Sequence, residues 1–246
     1  MLNEISQFAH VIGDVRFGKG NFVSPGAMLI GPISIGDNNY FGPNCVVGTP
    51  PQDNQISINS HKTSTLGKSK EYDEIRIGNN NVIREFVTIH KGLTSSTLLG
   101  DDCYIMSYAH IAHDCKIGNG VKIANNVQMG GYTSVQNGAY LGLSAILHQF
   151  SVIGQYAMIG MGSSTRESIP PVCLALGSPS RVIKVNKIAL DKLGIHEGNW
   201  AIEYVSNPTI ENIHADLTNS FEEFLEEDNN RKKERVLISK MRETSS

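Results

Sequence analysis

Apolar residues recur at every sixth position along most of this chain. From Ile5 the steps reach Val11, Phe17, Val23, Leu29, Ile35, Phe41 and Val47. A second register holds Ile77, Ile83 and Ile89. A third runs from Leu99 through Ile105, Ile111, Ile117, Ile123, Met129, Val135, Leu141, Leu147 and Ile153 to Ile159. None of these positions is polar. Two places before the phased residue, the third register carries small or β-branched side chains: Ala109, Cys115, Val121, Val127, Thr133, Ala139, Ala145, Ser151 and Ala157. Glycine often follows it, as at Gly36, Gly78, Gly118, Gly142 and Gly154. A period of six preserves the alternation of a strand and does not fit the helical period. The pattern predicts a parallel β-helix, with three short strands and three corners closing each coil of about 18 residues.

Two stretches break the period. Residues 49–76 are polar and contain two prolines, and residues 90–98 add four positions. Long loops on a rigid scaffold tend to carry function. The repeat ends at Pro170 and Pro171. From Lys184 the pattern turns helical, with expected helices over 184–194 (closed by Gly194 as a C-cap), 209–227 and 229–241. The expected organisation is mainly β: a β-helix domain over 1–183, with a loop insertion at about 49–76, and a helical domain over 184–246. The acidic run Glu222, Glu223, Glu226 and Glu227 precedes Arg231, Lys232 and Lys233, and the whole reads as a solvated helix face.

Composition narrows the function classes. A formal charge of −3 over 246 residues argues against nonspecific nucleic-acid binding. Hydrophobic residues at 40% suffice for a buried core. No apolar run reaches membrane-spanning length, and the start MLNEISQFAH lacks the features of a signal peptide. Cys45, Cys103, Cys115 and Cys173 form no CxxC and no zinc spacing, which fits a reducing, cytoplasmic compartment.

The string AHIAHDC carries the first candidate chemistry. Residues about 18 apart stack in neighbouring coils, so Gly131 falls over His113 and Tyr132 over Asp114, with His148 and Gln149 on the same face. A histidine beside a carboxylate suits general-base catalysis near neutral pH. A glycine leaves its backbone N–H open to an oxyanion. A metal centre built on His90, His110 and His113 competes, but His-x-x-His on a strand points the rings to opposite sides unless a corner intervenes. His10, His61, His196 and His214 read as solvent-exposed or capping residues.

IREFVTIHKG (83–92), AHIAHDCKIGNGVKIANN (109–126), LHQFSVIG (147–154) and Pro170-Pro171 resemble the acyl-carrier-protein-dependent UDP-N-acetylglucosamine O-acyltransferases of lipid A synthesis. The resemblance covers residues 1 to about 195. It implies a homotrimer of left-handed β-helices, each with a C-terminal helical domain. It also implies active sites in clefts between subunits, no metal and no cofactor, the donor being the phosphopantetheine thioester of acyl-carrier protein. By resemblance His113 is the general base, Asp114 its orienting carboxylate and Gly131 the oxyanion donor. Gln52 and Asp53 contact the sugar. His110, His148 and Gln149 line the cleft, Asn186 lies on the nucleotide side, and Met161 limits acyl length to about ten carbons by the volume it fills.

Several positions depart from the family pattern. Gln55 stands where the family has Lys, Tyr132 where it has His, and Ile188 where it has Glu. Lys192-Leu193 replaces a basic pair, and the loop at 55–74 is longer than usual. Lost positive charge alters the expected diphosphate contacts. Tyr132 and Lys192 are kept as candidate substrate contacts. The expected function is transfer of a fatty acyl chain to the 3-position of UDP-N-acetylglucosamine or a related nucleotide sugar. The alternatives are an acetyl-CoA-dependent N-acetyltransferase on a nucleotide-linked amino sugar and a noncatalytic solenoid that binds a glycan or partner.

Overall fold

The computed structural model describes residues 2–65 and 74–244. Part of the expected loop insertion, residues 66–73, lies outside the described residues. Short strands wind into three sheets of ten, eight and seven strands. Among the described residues all pairings between successive coils are parallel, and only the last hairpin, Cys173–Gly177 with Ser180–Val185, is antiparallel. Three sheets joined by tight corners give a triangular prism.

The six-residue period has a direct physical cause. Phased residues from Val23 to Ile159 point inward and are buried, as are the small residues two places before them. Register holds across the coils: Ile83 pairs with Ile105, which pairs with Ile123, then Leu141, then Ile159. Each coil buries its neighbour, so the first coil has only one side covered. Ile5 and Val11 are accordingly exposed although they keep the phase.

Corners need left-handed residues, and asparagine and aspartate adopt them at low cost. Asn38, Asn44, Asn80, Asp102 and Asn126 serve there. A second set of asparagines turns inward and stacks as a ladder. Asn39 Nδ2 donates to Asn21 Oδ1 at 3.0 Å, and Asn81 Nδ2 to Asn39 Oδ1 at 3.0 Å.

Among the described residues four α-helices accompany the solenoid: α1 (Ile58–Thr65), α2 (Lys187–Leu193), α3 (Asn199–Ser206) and α4 (Thr218–Thr244). The first belongs to the long loop. The second ends at Gly194 in the left-handed conformation, as the sequence predicts. The remaining tail differs from expectation. Helix α3 falls at 199–206, residues 209–214 are not helical, and one continuous helix, α4, joins the later part of the expected 209–227 segment to the 229–241 segment. Pro208 stops α3. Asn229-Asn230 costs little helix propensity and does not interrupt α4.

Helix α4 lies along the outer face of the seven-stranded sheet. Its Asp228 accepts a hydrogen bond from Ser168 at 2.5 Å, and Glu227 pairs with Lys116 at 3.3 Å. The charge run is therefore not wholly solvated. Arg231 is 1% exposed, with Nη1 at 2.9 Å from Glu234 Oε2. Its Nε is also 2.9 Å from Glu227 Oε1, at an angle too bent for a hydrogen bond.

Candidate active site

The corner between the eight-stranded and seven-stranded sheets stacks three similar turns. Asp114, Tyr132 and Phe150 take the left-handed position of each, at φ 59°, 61° and 65°. Tyr132 N donates to His113 O at 3.0 Å, and Phe150 N to Gly131 O at 3.1 Å. The coil repeat thus sets Gly131 over His113 and Tyr132 over Asp114.

His113 Nδ1 lies 2.7 Å from Asp114 Oδ2. The Asp114 side chain is fully buried. Its carboxylate accepts backbone N–H bonds from Leu93 (2.8 Å), Thr94 (2.9 Å) and Ser95 (2.6 Å). The hydroxyls of Thr94 and Ser95 add bonds at 3.1 and 3.0 Å. Burial alone would raise its pKa; the hydrogen bonds from His113, Leu93 and Thr94 outweigh that and hold it below the ordinary value. An ionised carboxylate only accepts, so Nδ1 of His113 carries a proton, and in the neutral ring Nε2 then presents its lone pair.

Gly131 faces that lone pair. A Cβ there would sit 2.6 Å from His113 Cε1 and 2.7 Å from Nε2, so any side chain would push onto the reactive edge of the ring. The Gly131 N–H makes no hydrogen bond among the described residues. Tyr132 meets His113 edge to face at 5.1 Å and stacks on Phe150 at 4.6 Å. Its hydroxyl lies 3.4 Å from that of Thr94.

Two further imidazoles extend the cluster. His110 Nδ1 is 2.8 Å from Thr88 Oγ1, and the His90 ring meets it edge-on at 5.0 Å. His90 is buried and donates from Nδ1 to Pro50 O at 2.8 Å. Burial first, then the neighbouring His110, lowers the His90 pKa to about 4. Burial, then the charge of His113, lowers that of His110. Among the described residues no three His, Cys, Asp or Glu side chains converge as metal donors.

The other sequence candidates divide by location. Gln52 and Asp53 follow Pro50, whose carbonyl accepts from His90 Nδ1. Asp53 Oδ1 accepts from Gln55 N at 2.9 Å, which closes the local turn. His148 and Gln149 lie exposed in the coil above Gly131. Asn186, Lys192 and Ile188 lie elsewhere, around a cavity of about 780 Å³ between α2 and the ten-stranded sheet, with Tyr140, Tyr156 and Met158. Asn186 caps α2 and donates to Tyr156 O at 2.8 Å, so both polar ends of its side chain are engaged. Met161 is 74% exposed on the third corner, between the ten-stranded and eight-stranded sheets. One copy of the chain therefore gathers His90, His110, His113, Asp114, Gly131 and Tyr132 but not Asn186, Lys192 or Met161.

The sequence reading missed the carboxylate cradle at 93–95 and the Phe150 platform. The four-residue break at 90–98 was the signal for the first. Continuing the 18-residue step from Tyr132 would have found the second.

A family model described as Bacterial transferase hexapeptide (six repeats) matches residues 14–49 and 96–131. An acyl-[acyl-carrier-protein]–UDP-N-acetylglucosamine O-acyltransferase of Burkholderia orbicola is 34% identical over 152 residues, 58% of this chain and 57% of the relative. The match thus spans little more than half the length of that relative. The solved UDP-N-acetylglucosamine acyltransferase from Campylobacter jejuni superposes with a TM-score of 0.64 at 26% identity, covering 89% of this chain and 92% of the other. An Arabidopsis UDP-N-acetylglucosamine acyltransferase gives 0.63 at 26% identity, covering 79% and 76%. In repeat, in sequence and in fold, the chain is similar to the UDP-N-acetylglucosamine acyltransferases.

Proposed function

We propose that this protein transfers a fatty acyl group from acyl-carrier protein to the 3-position of UDP-N-acetylglucosamine or a related nucleotide sugar. The observation that carries the reading is His113, anchored by buried Asp114, with its free Nε2 held open beneath Gly131. The names of the relatives supply the substrate class.

The chemistry follows from those groups. Nε2 of His113 takes the proton of the acceptor hydroxyl as its oxygen attacks the thioester carbonyl. The Gly131 N–H donates to the resulting oxyanion. Collapse of the tetrahedral intermediate expels the thiolate, which recovers the proton from the imidazolium. Asp114 fixes the ring and stabilises its charged form without being protonated. The reaction needs no cofactor beyond the donor thioester. Gln52, Asp53, His110, His148 and Gln149 contact the acceptor on this face. Asn186 and Lys192 face the nucleotide from a neighbouring copy in a homotrimer of left-handed solenoids. Met161 closes the acyl channel.

Product mass spectrometry tests the reading. Purified protein is incubated with a C10-to-C14 acyl-carrier-protein panel and UDP-N-acetylglucosamine or its 3-amino analogue. Acylated nucleotide sugar is the expected product. Turnover with acetyl-CoA in the absence of carrier protein would overturn the donor assignment. A positioned general base contributes about 10²–10⁴-fold. His113→Ala is expected to lose at least that lower factor in kcat with the fold intact by circular dichroism.

A further inference from the structure

Next to His90 stands Lys91, which the mechanism does not use. Its side chain is fully buried. Among the described residues no carboxylate lies within ion-pair distance of it. Its ammonium instead meets the end of α1: Nζ is 3.2 Å from Ser64 Oγ and 3.5 Å from Ser64 O. Ser64 is itself fully buried. Burial lowers the Lys91 pKa to about 8, so the group is still largely charged at neutral pH.

Among the described residues the buried cation is met by one hydroxyl and one carbonyl, a costly way to pack a loop. Its position gives it a use. The backbone N–H of Lys91 donates to Thr49 O at 3.0 Å, and the preceding residue, His90, donates to Pro50 O. Thr49 and Pro50 start the long loop, and Ser64 closes the end of its helix. Two consecutive residues at the end of strand Thr88–His90 therefore hold the described part of the loop, residues 49–65, at its start and at its helix. Between these two holds lie Gln52 and Asp53.

We infer that Lys91 is a positioning residue for acceptor recognition: through Ser64 it clamps α1, so that Gln52 and Asp53 are held between that clamp and the Pro50–His90 bond. The clamp acts on the loop and leaves His113 and Asp114 untouched. This inference rests on the acyltransferase reading for its kinetic consequence, and on the geometry alone for its structural one.

The test pairs Lys91→Met, which keeps the stem and removes the donors, with Lys91→Arg and Ser64→Ala. Lys91→Met is expected to raise KM for the nucleotide sugar about tenfold, the scale of one lost hydrogen bond to a charged group, with kcat and the donor KM unchanged. Ser64→Ala should produce a smaller rise that adds nothing to Lys91→Met. Lys91→Arg, which restores donors, should recover most of the loss. Amide exchange over residues 50–65 should quicken in Lys91→Met and stay unchanged at residues 109–117. Unchanged exchange in the loop, or an equal rise in KM for both substrates, would overturn the clamp. If Lys91→Met does not fold, Ser64→Ala carries the same comparison. Absence of turnover in the unsubstituted protein would overturn the functional reading instead, and the exchange measurement would still decide the clamp.

Discussion

At the residue scale, the informative contrast is between His113 and its two neighbours. All three imidazoles anchor Nδ1, but only His113 anchors it on a carboxylate. His90 donates to a backbone carbonyl and sits in a dry site that disfavours its charged form. Its folded pKa of about 4 lies below the ordinary 6.5, so between these values the unfolded chain binds a proton that the folded chain refuses. Stability from this group is complete above pH 6.5 and is lost as pH falls toward 4. His110 is shifted in the same direction. Urea midpoints measured across that window should fall on acidification. The slope should flatten in His90→Gln by about 2–3 kcal/mol over the window. An unchanged slope would mean that His90 is not the group responsible. Gly131 makes a second residue-scale case. Its φ is not left-handed, so alanine suits the backbone there, and the nearest obstacle is the imidazole. Gly131→Ala should therefore cost activity out of proportion to stability. At least a 100-fold fall in kcat with little change in Tm is the expected signature.

At the scale of elements, the loop at 90–98 and helix α4 show where sequence periodicity stops being informative. The six-residue phase identified the strands, the corners and the stacking of Gly131 on His113, because those follow from one repeated local geometry. It was silent on the loop's interior, which has no repeat. There three successive N–H groups converge on one carboxylate, and the convergence depends on the path of the chain. Removing that acceptor strands buried donors. Asp114→Ala should destabilise the protein by about 3–5 kcal/mol in chemical denaturation, well beyond an ordinary surface substitution. A cost near zero would mean that water or a shifted loop replaces the carboxylate. Helix α4 failed to be read for a related reason. Charge alone marked Arg231 as solvated, whereas contact with the solenoid buries it. Its partners Glu227 and Glu234 are partly exposed, so Arg231→Ala should cost about 2–3 kcal/mol, short of the full penalty for a buried pair.

At the scale of the whole molecule, the prism separates the chemistry. The His113 cluster occupies the corner between the eight-stranded and seven-stranded sheets. The cavity with Lys192 and Ile188 opens on the ten-stranded sheet. Helix α4 covers the face between them on one side, and the corner bearing Met161 stands between them on the other. Among the described residues of a single copy, the two sets lie apart. If both serve one nucleotide-sugar site, that site is assembled from two copies, each lending a different face. This arrangement has a consequence that single-copy models lack. His113→Ala and Lys192→Ala should each be deficient alone, the first in kcat and the second in KM for the nucleotide sugar. When the two are unfolded together and reassembled, some clefts pair an intact His113 face with an intact Lys192 face from the other variant. Mixed assemblies should then regain a fraction of unsubstituted activity, while mixing each variant with itself should regain none. A flat result, with subunit exchange verified by native mass spectrometry, would place the whole site on one copy and remove Lys192 from it. Recovery would show that the two faces meet across an interface, and would explain why a chain so regular in its coils keeps the His113 cluster on one edge and the Lys192 cavity on another.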